Sequence, residues 1–176
     1  ATGQLLECGS KNGCSRFIYI SSTSVHGFGD HLETKENGPY YPLASSYQRT
    51  KRDGENLVTS FRHEKMKTTV LRPGLVYGPG DSTTLKPVFK LIDSGRLPML
   101  GRFDVYSCPI YIDDLVDAVI LAIEKPEAEG ELFNITSGER ILLRDALFRA
   151  AELLDRPPPK LNIPVAAASA AAIFLE

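Results

Sequence analysis

Residues 17–51, FIYISSTSVHGFGDHLETKENGPYYPLASSYQRTK, decide how this chain is read. Phe17-Ile18-Tyr19-Ile20 is a continuous apolar, aromatic-rich run, the pattern of a buried parallel strand. It empties into the hydroxyl cluster Ser21-Ser22-Thr23-Ser24. Open α/β sheets bind ligands at the carboxyl ends of their strands, which gives these hydroxyls a use beyond closing a turn. Further on, Tyr47 and Lys51 are four residues apart and so share one face of a helix. A positive charge beside a phenol favours its anion. Such a phenol can exchange a proton with a substrate oxygen near neutral pH, while a nearby serine hydroxyl bonds that oxygen as charge develops. The plain alternatives are an exposed helical pair and hydroxyls that only finish a strand.

Around this stretch the pattern alternates strand and helix. Residues 1–10, with Leu5, Leu6 and Cys8 apolar, read as the end of a helix stopped by Lys11-Asn12-Gly13. Residues 27–45 are rich in Gly, Asn and Pro and read as a loop framing a site. A helix is expected from Ser45 to Arg62, with Leu57, Val58 and Phe61 as its apolar contacts. Gly54 costs that helix about 1 kcal/mol relative to Ala unless close packing requires it. Thr68 to Leu71 reads as a strand ending at Arg72-Pro73-Gly74, where Pro73 removes a ladder donor. A helix over Leu85–Ser94, broken at Gly95, and strands over Leu97–Leu100 and Tyr106–Ile112 follow.

Asp113 or Asp114 is expected to cap a helix beginning at Leu115, with an apolar stripe of Leu115, Val116, Val119, Ala122 and Ile123. Gly130–Ile135 reads as a strand. Ile141–Leu154 reads as an amphipathic helix ended by Asp155-Arg156 and three prolines. The apolar stretch VAAASAAAIFLE, residues 165–176, is too short to span a bilayer. The alternatives are a helix start packed on protein or one lying on a membrane.

At 176 residues the chain is long enough for one ordinary core. A net charge of −2 with interleaved signs argues against nucleic acid and anionic membranes as partners. The three cysteines, Cys8, Cys14 and Cys108, show no CxxC spacing, which makes a reducing, cytoplasmic setting the default. His26, His31 and His63 lack metal-site spacing and are read as loop and surface residues, with no metal implied.

Four ordered segments carry a resemblance: FIYISSTSVHG at 17–27, the Tyr47-x-x-x-Lys51 pair, LRPGLVYGPGD at 71–81 and YIDDLVDAVILAIEKP at 111–126. Together they resemble the extended short-chain dehydrogenase/reductases, including the NAD-dependent epimerase/dehydratases and 3-beta-hydroxysteroid dehydrogenases. The resemblance implies an α/β fold with a Rossmann-type parallel sheet and a small mixed α/β substrate lobe. Residues 1–80 would belong to the dinucleotide-binding domain, and 81–176 to the lobe and returning elements. NAD or NADP would carry the hydride in an oxidoreductase acting on a secondary alcohol or ketone. Ser22, Tyr47 and Lys51 take the catalytic roles. Tyr47, Lys51, Pro73, Gly74, Leu75 and Val76 become the cofactor contacts, and Ser22, Thr23 and Leu75 the substrate contacts.

No Gly-rich dinucleotide turn occurs, and residue 1 falls mid-way through the family's nucleotide-binding half. The expectation is therefore a C-terminal portion of a longer protein. The choice between NAD and NADP is not readable here. Departures from the sugar-nucleotide members bear on substrate. Leu75 stands where they carry Asn, Ser107 and Cys108 where many carry an Arg–Asp pair, and His26 where the family has Tyr. A diphosphate-sugar would lose charge neutralisation at such positions, so a hydroxysteroid or sterol-like alcohol is favoured over a sugar nucleotide. The other class is a non-catalytic, dehydrogenase-like interaction subunit. The family's usual homodimer contact, through helices flanking the Tyr47 segment, is not decided by the residues.

Overall fold

The computed structural model describes residues 1–29, 31, 33–101 and 104–164. The apolar stretch 165–176 lies outside the described residues. In chain order the elements are α1 (Thr2–Lys11), β1 (Arg16–Ile20), a 3₁₀ turn (Thr23–His26), α2 (Ser46–Ser60), β2 (Lys67–Pro73) and β3 (Leu75–Tyr77). Then come α3 (Leu85–Asp93), β4 (Pro98–Leu100), β5 (Tyr106–Ser107), β6 (Pro109–Tyr111) and α4 (Ile112–Glu124). A second 3₁₀ turn (Pro126–Ala128), β7 (Leu132–Ile135), β8 (Ile141–Leu142), α5 (Leu143–Leu153) and β9 (Leu161–Ile163) complete the described chain.

Two compact units result. The first is Ala1–Val76 with Ile110–Ser137, and the second is Tyr77–Pro109 with Gly138–Glu176. The first unit's opening segment thus ends at Val76, and residues 110–137 return to it.

In the first unit β1, β2 and β7 form a parallel sheet in the order β1-β2-β7. Side chains alternate across such a sheet, and the core divides accordingly. Phe17, Tyr19, Val70 and Leu132 meet Leu6 of α1, Val58 of α2, Phe61 at its C-terminal cap, and Met66 on one face. Ile18, Leu71, Phe133 and Ile135 meet Val119 and Ala122 of α4, and Ala128, on the other. Helices on both faces of a parallel sheet make this the expected Rossmann-type α/β arrangement. β1 differs from expectation in being half-buried rather than buried, with Ile20 37% exposed. Among the described residues it is hydrogen-bonded to a strand on one side only.

Other departures are local. Leu57 of α2 is exposed, because Val58 is the position that turns to the sheet. Helix α4 starts at Ile112, and neither Asp113 nor Asp114 caps it. Both sit in its first turn, where a carboxylate complements the helix dipole. Of the expected stripe, Leu115 and Ala122 are buried while Val116 and Ile123 are exposed. Tyr106–Ile112 divides into β5 and β6, and Ile141–Leu142 forms β8 ahead of α5.

In the second unit β4 pairs in parallel with β9, an element that Pro-rich flanks conceal in the sequence, and β5 pairs antiparallel with β8. Helices α3 and α5 pack through Val88, Ile92, Leu147, Ala150 and Ala151, with Leu97. Asp81 holds the start of α3 by accepting from the Thr83, Thr84 and Leu85 amides at 3.1, 2.8 and 2.9 Å. Those bonds hold its pKa below the usual carboxylate value. No described helix is long and apolar enough to cross a membrane.

Candidate active site

The site grows from the carboxyl end of β1. Ser21 is buried and its amide donates to Leu71 O at 2.7 Å, continuing the ladder one residue past the strand. Ser22 then adopts an extended backbone (φ −161°, ψ 147°) and its Oγ accepts from the Ser24 amide at 3.2 Å, starting the Thr23–His26 turn. Gly27 ends that turn at φ 82°. A side chain there would meet the Tyr41 carbonyl at 2.6 Å, so only glycine fits.

Helix α2 supplies the rest. Ser45 and Gln48 form a reciprocal capping box: Ser45 Oγ accepts from the Gln48 amide, and Gln48 Oε1 accepts from the Ser45 amide. This fixes the first turn, which carries Tyr47. Lys51, one turn on, donates from Nζ to Ile20 O at 2.8 Å, and its Nζ lies 5.8 Å from the Tyr47 ring centre. Tyr47 is 57% exposed, so an incoming molecule can reach its hydroxyl. The helix approaches β1 closely at Gly54, where any Cβ would collide with the Tyr19 hydroxyl. Close packing therefore accounts for that glycine. Tyr19 Oη donates to Lys51 O at 3.3 Å.

At the end of β2, Pro73 is buried and Gly74, Leu75 and Val76 are half-buried. Pro73 has no N–H, and the Gly74 amide donates to Ile135 O at 3.0 Å. Backbone contacts from this segment to a cofactor are thus narrowed to its remaining groups. Thr23 is half-buried in the turn beside Ser22. In the second unit, a cavity of about 560 Å³ is lined by Tyr77, Asp81, Leu85, Lys86 and Phe89, among others. None of its lining residues was singled out from the sequence for a site role.

Sequence reasoning missed what lies behind Tyr47 and Lys51. His26 is not a surface residue: it is 3% exposed and stacks on Tyr40 at 4.8 Å between ring centres. Beside it Arg72, 2% exposed, uses all five N–H groups. Nε and Nη2 donate to the Glu55 carboxylate at 2.8 and 2.7 Å. The second Nη2 proton goes to Tyr40 Oη at 3.1 Å. Nη1 serves Glu36 O at 2.9 Å and His26 Nε2 at 3.2 Å. A guanidinium only donates, so His26 Nε2 accepts, the ring proton sits on Nδ1, and Nδ1 donates to Pro39 O at 3.2 Å.

Burial, with Arg72 and His31, lowers the His26 pKa against opposing contributions from Pro39 O and the Asn134 side chain. Burial also opposes the Arg72 charge, but the bonds to Glu55 and Tyr40 outweigh it and its pKa is raised. The Glu36 carboxylate accepts from the Asn134 amide at 2.9 Å, and that bond depresses its pKa despite partial burial. One signal was available: a charged residue inside the apolar run of β2 demands a buried partner.

Chemically the arrangement offers a reachable phenol, an ammonium anchored beside it, and a serine at a strand end. Comparison with known proteins identifies the family. Residues 1–136 match the family model described as the NAD dependent epimerase/dehydratase family. The chain is 28% identical over 160 residues to a UDP-glucose 4-epimerase of Vibrio cholerae, covering 88% of this chain and 48% of that protein. It is 31% identical over 146 residues to a 3-beta-hydroxysteroid dehydrogenase of Mycolicibacterium neoaurum, covering 78% and 40%. Among solved structures it superposes on a UDP-glucuronic acid 4-epimerase from Bacillus cereus in complex with NAD, with TM-score 0.81, 26% identity, and 93% and 54% coverage. The chain spans about half the length of the curated relatives it matches. With most of its length matched by the family model, the chain belongs to the NAD-dependent epimerase/dehydratase family.

Proposed function

We propose that the protein carrying this chain is an NAD(P)-dependent oxidoreductase that moves hydride at a secondary alcohol or ketone, with Ser22, Tyr47 and Lys51 as its catalytic residues. The observation that carries this reading is Lys51, anchored to Ile20 O at the end of β1 with the exposed Tyr47 ring at 5.8 Å. Tyr47 Oη takes or gives the proton of the substrate oxygen. Ser22 Oγ hydrogen-bonds that same oxygen and steadies its developing charge. An ammonium carries three N–H groups, of which Lys51 directs one to Ile20 O, so its donor set suits a ribose hydroxyl. The nicotinamide cofactor, when bound, supplies the hydride chemistry. Its contacts are assigned to Tyr47, Lys51 and the Pro73–Val76 segment, and those of substrate to Ser22, Thr23 and Leu75.

Leu75, Ser107 and Cys108 favour an apolar alcohol of hydroxysteroid type, and the Mycolicibacterium relative supports that class. A sugar nucleotide is the second reading, supported by the Vibrio relative. The test is Tyr47→Phe in the complete protein, assayed with NAD and NADP against sterols and then UDP-sugars. Turnover should fall by roughly 10²–10⁴-fold with nucleotide binding retained. Intact turnover rejects the assignment, and the substrate panel separates the two readings.

A further inference from the structure

Three segments that carry the proposed catalytic groups converge on one buried cation. Arg72 extends from the strand leading into Pro73–Val76, Glu55 lies one turn after Lys51 on α2, and His26 closes the turn that Ser22 starts. The framing loop joins them through Glu36 O and Tyr40 Oη, while the Tyr41 amide donates to His26 O at 2.7 Å. We propose that His26 and Arg72 form a proton-sensitive clasp, which positions Ser22 and the 33–41 loop for the reaction assigned to Tyr47. Its catalytic consequence rests on the proposed function; its structural content does not.

The charges around the imidazole explain the sensitivity. From β2 comes Arg72, paired with Glu55 of α2. From the loop come His31, 5.8 Å away ring to ring, Tyr40, and Glu36, whose carboxylate is held by the Asn134 amide of β7. From α2 comes Arg52, stacked 4.6 Å over the Tyr40 ring, with Nε and Nη2 buried and without acceptors among the described residues. Among the described residues, an imidazolium would be a third cation against the two engaged carboxylates of Glu36 and Glu55. It would also turn Nε2 from acceptor to donor, facing an Arg72 N–H at 3.2 Å. Arg72 would keep a buried N–H without a partner, and the turn beginning at Ser22 would lose its anchor. Asn134 Oδ1, buried and without a donor, offers the protonated ring one compensating acceptor.

Folding keeps the ring neutral, so its contribution to stability is complete above the free-histidine pKa of 6.5 and is lost as pH falls toward the depressed folded value. The experiment uses the complete protein between pH 5 and 8, with His26→Gln, which keeps an acceptor but does not titrate, and His26→Leu, which removes the acceptor. Wild-type kcat should show an acid limb that His26→Gln flattens. His26→Leu should lower kcat roughly tenfold at every pH, with KM for the nucleotide unmoved. Imidazole ¹⁵N shifts should report the Nδ1-protonated tautomer at pH 7.5, and the protection of the Tyr41 amide, taken against its pH-dependent intrinsic exchange rate, should fall as the ring protonates. An Nε2-protonated tautomer, or a His26→Gln enzyme that keeps the wild-type acid limb, overturns the clasp. Absence of turnover on every substrate would instead count against the proposed function, and the tautomer and Tyr41 exchange would still decide the clasp.

Discussion

Helix α2 holds two pairings that behave as opposites. At its N-terminal end Tyr47 is 57% exposed beside a half-buried Lys51. Two turns on, Glu55 is 3% exposed and grips Arg72, 2% exposed, through two bonds of 2.8 and 2.7 Å. Lys51 is fixed by its bond to Ile20 O at 2.8 Å rather than by Tyr47, whose ring centre lies 5.8 Å away. A reacting phenol must nonetheless be reachable. The molecule meets both demands by sealing the bidentate pair and spacing the open one from it in steps of four residues along the same helix.

The sharpest way to break this contrast is Arg72→Met. Removing one member of a buried pair strands the other charge and should cost about 3–5 kcal/mol in urea unfolding of the complete protein. Tyr47→Phe, measured the same way, should stay within about 0.5 kcal/mol of wild type, while its turnover should fall by roughly 10²–10⁴-fold. Equal stability losses in the two variants would mean that the sealed pair is not what supports the helix.

Gly54→Ala probes the ground between the pairs. Alanine is the better helix former by about 1 kcal/mol, so propensity alone predicts a gain. The new methyl would collide with the Tyr19 hydroxyl at the closest approach of α2 to β1. Overpacking of that kind costs about 1–3 kcal/mol, and the net change should be a loss, with Lys51 displaced from Ile20 O and turnover reduced. A gain in stability would show that the contact yields at no cost.

The sequence made the open pairing visible and hid the sealed one, for physical reasons. Tyr47 and Lys51 announce themselves by spacing on a single helix. The apolar run at 17–20 and the hydroxyls after it mark a strand end without any tertiary knowledge. Arg72, Glu55, His26 and Tyr40 are far apart in sequence and share no period, and only folding brings them together. His26 looks like a surface histidine until the Pro39 carbonyl and the Arg72 guanidinium are placed around it. Likewise Asp113 and Asp114 read as caps of a helix starting at Leu115, and only the Ile112 start of α4 moves them into its first turn. Weak elements such as β9, three residues between prolines and an apolar stretch, depend wholly on β4 for their pairing.

The smallest effect expected sharpens the comparison at the open end. Ser45→Ala removes the hydroxyl that accepts the Gln48 amide at 3.2 Å, and leaves Gln48 Oε1 to the Ala44 and Ser45 amides. Loss of one half of a capping box costs about 1 kcal/mol. Gln48 is buried, so its side chain stays packed and fraying is confined to the first turn. That turn carries Tyr47 but not Glu55. Amide exchange should therefore quicken at Gln48 and Arg49 and stay slow at Glu55 and Val58, with turnover reduced more than stability. Uniform quickening along α2 would instead make the helix one cooperative unit, and the sealed pair would then have no independent hold on the open one.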